Sequence, residues 1–165
     1  MRRRAEALAD RILQGAEALA AYAETLTDAE WRLTVPGDGR AIGVIVHHVG
    51  SVYPIEIQLA MGPAGGNEIA GVTWDAVAQM NADHARDHAG VGKDETVRLV
   101  RESSKAAAAA VRALTDEQLD RAAPVSLNSD APLTCQFVVE DHALRHSFHH
   151  LAKVRATVEA ARSGR

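Results

Sequence analysis

Residues 141–154 read DHALRHSFHHLAKV, and four of the chain's 8 histidines fall within them. A neutral imidazole offers a lone pair to a metal or a proton acceptor to a reaction. His146 and His150 are four apart, so on a helix they share a face with Cβ atoms about 5–6 Å apart. That is close enough for both rings to reach one ion, as in other helical metal motifs. The same spacing recurs at His84/His88 and His142/His146, so spacing alone does not choose among the pairs. Surroundings distinguish them. His84 and His88 lie in NADHARDHAG among Asp83, Arg86 and Asp87, which predicts a solvated face. His146 and His150 fall at the edge of an apolar face made by Phe137, Val139, Ala143, Leu144, Leu151, Val154 and Val158, taking 100° per residue. Imidazoles at the margin of a core need partners.

A third candidate comes from AIGVIVHHVGSVY (41–53). Ile42, Ile45, Val49 and Val52 mark the buried stripe of this helix, and His48 flanks it. His47 points about 100° away, toward solvent. The positions expected to be dispensable for metal binding are therefore His47, His84, His88 and His149. His142, one turn before His146, is a candidate general acid/base, or simply a hydrated histidine at the rim.

The elements that carry these residues read as helices. Leu8, Ile12, Leu19 and Leu26 form one stripe, and Val97, Val100, Ala107, Val111 and Leu114 another. Long helices are predicted from the N-terminal segment, from about Ala41 to Met61, from near Asp94, and from about Leu133 to Arg162. A shorter one is predicted from Thr73 to about His84. GPAGGNEIAGV (62–72) and APVSLNSDAP (123–132) read as loops, and Pro54 as a point of kinking. Leu26-Thr-Asp-Ala-Glu-Trp31 and Leu114-Thr-Asp-Glu-Gln-Leu119 each follow a long helix and carry a capping-box signature, a faint internal echo. Strand signals are weak, with aromatics at 4%. The expected architecture is a single all-α domain over 1–165, an up-down four-helix bundle, with site residues projecting from facing helices.

Composition narrows the function classes. A net charge of −4 argues against a nucleic-acid binder. The basic run Arg2–Arg4 precedes no apolar signal segment, and no stretch approaches the ~20 apolar residues of a membrane span. The 1 cysteine, Cys135, excludes an internal disulfide and a cysteine-rich zinc site, and reads as a small core residue. A cytoplasmic location is expected.

Trp31, Asp38-Gly-Arg-Ala-Ile-Gly43, Val46-His-His48, Val72–Asn81, His146-Ser-Phe-His-His150 and Leu-Ala-Lys-Val154 occur in an order and spacing that resemble the DinB-like (YfiT-like) superfamily. That group includes the metal-binding domain of mycothiol-dependent maleylpyruvate isomerases. The resemblance covers nearly the whole chain. It implies the bundle fold and one divalent metal held by His48, His146 and His150. The chain departs from the family's usual Gly-Gln at Ala152-Lys153.

Three neutral imidazoles suit zinc, and also nickel, iron or manganese. They leave a position for water or substrate, whose pKa the metal lowers. The expected activities are a thiol S-transferase using mycothiol or bacillithiol, toward which the resemblance leans, and a hydrolase using the bound water. A non-catalytic metal-stabilised stress or interaction protein is the third reading. The expected partners are a small molecule and, through alanine-rich faces on the first and third long helices such as Ala106–Ala110, a second copy of the chain. Glu56 lies on the apolar stripe of the second helix, ~12 Å beyond His48 and too far to share its ion. Asp141 and Arg145 are placed for a surface ion pair.

Overall fold

The computed structural model describes residues 3–164. Arg2, the first member of the basic run, lies outside them. Four long helices form the core: α1 (Arg3–Glu24), α3 (Ile42–Gly65), α5 (Lys93–Arg112) and α8 (Arg145–Ser163). Between them lie the one-turn α2 (Asp28–Trp31), α4 (Trp74–Asp87) and α6 (Asp116–Asp120). The hairpin β1 (Ala122–Val125) and β2 (Ala131–Thr134) precedes α7 (Cys135–Val139) and a π-helical turn at Glu140–Leu144 that runs into α8. Both capping boxes are present, Thr27 with Glu30 and Thr115 with Gln118.

The stripes predicted from the sequence form one core. Leu8, Ile12, Leu19, Ile42, Ile45, Val49, Val100 and Val111 are fully buried within it. Each such side chain contributes about 1.5–3 kcal/mol relative to exposure. Cys135 is buried, as expected, and burial pushes its thiol up to about 11. Of the alanine run, Ala107 and Ala108 pack inside the bundle while Ala106 and Ala109 face outward.

Side-chain pairs fix the helix directions. Arg101 bridges Glu17 and Glu24, and Arg112 bridges Glu6 and Asp10, so α1 and α5 run antiparallel. Exposed pairs of this kind add ~1 kcal/mol at most. Arg155 lies 5.2 Å over the Tyr22 ring, and Phe148 packs at Gly15, so α1 and α8 run parallel. Glu56 reaches His146 while His48 faces His150, so α3 opposes α8. The four-helix bundle expected from the sequence is therefore present, but its up-down order is corrected. The directions are up, down, down, up, because the long connection carrying α4 returns the chain to the other end of the bundle before α5.

Several local expectations change. The segment 123–132 forms the hairpin, with Ala122 opposite Thr134 and Val125 opposite Ala131. Alternation in Ala-Ala-Pro-Val is too weak to announce a strand. The backbone of Ile69 supplies what the side chains do not, accepting from Ser126 N–H and donating to the Pro124 carbonyl, both at 2.9 Å. α3 runs on through Pro54 and Pro63 and ends at Gly66, whose φ of 78° closes the helix. The π turn inserts an extra residue, which rotates the chain before it by about 100°. Phe137, assigned by a uniform period to the apolar face, is 42% exposed instead.

The α1–α3 connection is tied down at two points. Glu30 closes the capping box and accepts from Arg162 Nε at 2.8 Å. Trp31 lies over Gly43 and donates from its indole nitrogen to the Val91 carbonyl at 3.1 Å. A Cβ at Gly43 would stand 2.5 Å from the indole.

Gly43→Ala should therefore lower the melting temperature by several degrees. The alanine gains about 1 kcal/mol of helix propensity, and overpacking against an anchored ring costs about 1–3 kcal/mol. Gly90→Ala, where the added methyl meets nothing within 4 Å, is the control for thermal denaturation. Arg162 and the Thr27 backbone hold the Glu30 carboxyl at about 2, below its ordinary 4.5. A depressed carboxylate stabilises the fold above its unfolded pKa, and that stability is lost as pH falls through the folded value. Glu30→Gln should thus melt below wild type at pH 7, and the gap should narrow from about pH 4.5 toward about pH 2. A gap that stays constant across that range would exclude the ionic contribution.

Candidate metal centre

α3 and α8 meet along a seam that places three imidazoles together. His48 and His150 are buried, and His146 is half-buried. Ring centroids stand 5.0 Å apart for His48/His146, 5.8 Å for His48/His150 and 4.8 Å for His146/His150. Each ring has a nitrogen within 4.8 Å of a nitrogen of the others. Tetrahedral zinc bonds of 2.0–2.1 Å put ligand nitrogens roughly 3.4 Å apart, so small side-chain rotations would close the set on one ion.

The electrostatics fit a metal. Burial first, then the neighbouring imidazoles, pushes His48 down to about 3 and His150 down to about 2. Both rings stay neutral near pH 7, the form that ligates. His150 Nδ1 is buried without a protein partner, a costly arrangement that an ion or second-sphere group relieves. Glu56 Oε1 lies 2.5 Å from His146 Nδ1, which leaves Nε2 of that ring free for the centre. A carboxylate on the outer nitrogen of a ligating histidine fixes its orientation and raises its basicity.

The seam is held in register by a buried bond between the Tyr53 hydroxyl and Ser147 Oγ, one residue beyond His146. A second fixture is the turn before α3. Gly37 and Gly39 take φ of 77° and 84°, letting the chain fold back so that Arg40 grips Asp38 with both ends of its guanidinium at 2.6 and 3.0 Å. Arg40 Nη1 is buried without a partner.

A cavity of about 440 Å³ opens onto the three histidines. Arg40, Glu56, His142, His146 and His149 supply polar wall, while Ile55, Leu59, Trp74, Val77 and Met80 supply apolar wall. Trp74 is 61% exposed at the mouth, with its indole nitrogen donating to the Leu127 carbonyl at 3.0 Å. Its position depends on the hairpin that sequence reasoning took for a loop.

His48, His146 and His150 thus converge as their helical faces predicted. His142 lies in the π turn and lines the cavity. Asp141 and Arg145 pair at 3.1 Å, as expected. The solvated face assigned to His84 and His88, and the outward aim of His47, are corrected: all three are half-buried in a cluster of their own. α4 folds over α3 and covers them, a contact no single-helix projection contains. Glu56 and Arg40 were missed as site residues. Glu56 is indeed no companion of His48 on α3, but it meets His146 on the facing helix. A carboxylate on an apolar stripe was itself the signal, since a buried charge requires a partner.

Fold and site together define a helical bundle with a three-histidine centre between facing helices. The chain belongs to the DinB superfamily, whose family model matches residues 11–154. Its structure is similar to that of YfiT from Bacillus subtilis, described as a probable metal-dependent hydrolase with an unusual four-helix bundle topology. The TM-score is 0.77 at 16% identity, over 98% of this chain and 89% of that one. It also resembles the mycothiol-dependent maleylpyruvate isomerase, with a TM-score of 0.67 at 13% identity, over 93% of this chain and 60% of that one. The chain thus spans about three fifths of the isomerase. No curated protein sequence matches the chain.

Divalent metal titrated into tag-free protein should fill this centre in His149→Ala, one position along α8, and leave it empty in His150→Ala, as read by metal content. Equal loss in both would refute the assignment of faces. Glu56→Gln should weaken zinc binding about 10–100-fold in a chelator competition, by freeing the His146 ring.

Proposed function

We propose that this chain is a metal-dependent enzyme acting on a small molecule, and that its reaction is transfer of a low-molecular-weight thiol of the mycothiol or bacillithiol type. His48, His146 and His150 hold one divalent ion, with zinc best suited to three neutral imidazoles. That ion, when bound, lowers the pKa of the thiol or water it meets and so supplies a nucleophile at neutral pH. The observation that carries the reading is the cavity on the triad, which gives a substrate access that a purely structural site would not need. This favours it over a non-catalytic metal-stabilised bundle.

The chain's own residues have distinct tasks. Arg40 offers the unpartnered Nη1 to a carboxylate or other anionic group of a ligand while Asp38 holds the guanidinium still. The Ile55, Leu59, Trp74 and Met80 wall takes the apolar part and excludes water. In the transfer, the thiol loses its proton, its sulfur forms a bond to the electrophilic carbon, and the leaving group departs with the pair of the broken bond. His142, which lines the cavity, accepts the thiol proton and returns it to the leaving group. The similarity to the mycothiol-dependent isomerase supports this choice of co-substrate.

Hydrolysis is the second reading, favoured by one observation. Glu56 Oε2 is buried, without a protein partner, in a side chain that lines the cavity, and can accept a proton from an attacking water. The similarity to YfiT points the same way.

The experiment is a comparison of zinc-loaded wild type, His150→Ala and His142→Ala. Each is given mycothiol, bacillithiol or glutathione with monobromobimane, and separately p-nitrophenyl acetate without thiol. The expected result is metal-dependent thioether formation, lost in His150→Ala and reduced about 10²–10⁴-fold in kcat in His142→Ala. Metal-dependent ester cleavage without thioether formation would establish the hydrolase instead. No metal-dependent rate in either assay would overturn both.

A further inference from the structure

We propose a second divalent-metal site formed by His47, His84 and His88. This cluster is separate from the triad of α3 and α8, although adjacent residues of α3 feed the two.

The geometry has three parts. The rings are packed, with centroids 4.1 Å apart for His47/His88, 4.5 Å for His84/His88 and 5.1 Å for His47/His84. Each ring has a nitrogen within 4.8 Å of a nitrogen of the others, the same closeness as in the first triad. And the construction is similar: one histidine from α3 joins His84, in the last turn of α4, and His88, which caps that helix. His88 donates its backbone N–H to the His84 carbonyl at 3.0 Å, which holds the two rings together at the C-terminal end of α4, against the turn of α3 that carries His47.

Hydrogen bonding alone leaves part of the cluster unexplained. His47 Nδ1 and His84 Nε2 lie 2.9 Å apart, so one ring donates and the other accepts. That pairing accounts for two nitrogens. It leaves His84 Nδ1 buried without a partner. Nearby carboxylates do not close the set: Asp83 and Asp87 are both engaged by Arg86, and Glu95, which faces His47, forms no ion pair with it among the described residues. Three imidazoles with no acidic member suit zinc, nickel or cobalt rather than magnesium or calcium, which take oxygen ligands. The His48 ring stands edge-on to His84 at 5.4 Å, so the second site adjoins the first.

The test is metal stoichiometry in full-length, tag-free protein stripped with chelator and titrated with Zn²⁺ or Co²⁺. Metal content after desalting and the visible absorption of the Co²⁺ form are read together, with circular dichroism to verify folding. Wild type should take two equivalents. His84→Ala and His88→Ala should each take one, as should His150→Ala, while the double variant His84→Ala/His150→Ala should take none. His84→Gln and His88→Gln, which preserve bulk and polarity, serve where an alanine variant fails to fold. Wild type saturating at one equivalent that His84→Ala keeps and His150→Ala loses would overturn the second site and leave the first standing. One equivalent lost in His84→Ala but kept in His150→Ala would support the second site and overturn the first. Two equivalents retained in both His84→Ala and His84→Gln would also overturn the proposal.

Discussion

The antiparallel seam between α3 and α8 is the constraint on which the rest of the centre depends. Three contacts along it fall in sequence: His48 with His150, Tyr53 with Ser147, and Glu56 with His146. A slip of one residue on either helix rotates its side chains by about 100° and breaks all three. Breaking the buried hydroxyl pair leaves an unpaired buried hydroxyl, which costs about 1–3 kcal/mol, and a freed Glu56 carboxylate costs more. The register of the seam is thus specified by polar groups within an apolar core, and the histidines inherit their convergence from it.

Burial gives those histidines their chemistry and makes them costly. Desolvation keeps His48 and His150 neutral well below physiological pH and so keeps their lone pairs available. The same desolvation leaves nitrogens without partners in both histidine clusters. Core residues such as Leu8, Ile12, Leu19 and Val100, fully buried in the bundle interior, offset that cost. Folding stability is drawn from the apolar stripes, and the polar clusters keep nitrogens that no protein group satisfies.

Long connections build the access route. The crossover from α3 to α5 carries α4, which covers His47 on one side and lines the cavity with Trp74, Val77 and Met80 on the other. The crossover from α5 to α8 carries the hairpin whose Leu127 carbonyl receives the Trp74 indole. The hairpin is itself held by Ile69 in the first crossover. The two connections therefore brace each other, and the mouth of the cavity is a joint product of segments more than fifty residues apart. The π turn adds to this by carrying His142 onto the wall one turn before the triad.

Much of this was legible in one dimension. The four long helices follow from apolar stripes of period 3.6. The capping boxes at Thr27 and Thr115 follow from four-residue signatures. The inward placement of His48, His146 and His150 follows from their position beside those stripes, because a helix converts spacing directly into direction. What tertiary structure decided was everything that depends on which helices touch. Glu56 could be measured along its own helix but not against His146 on another. His47, His84 and His88 read as solvated because each was judged on its own helix, and only the packing of α4 on α3 brings them together. The hairpin at 122–134 was silent in the sequence because its pairing rests on backbone hydrogen bonds, with Ile69 among the partners, and backbone groups are common to every residue. Helical periodicity is local and survives in sequence; contacts between elements are set by the packing of the whole chain.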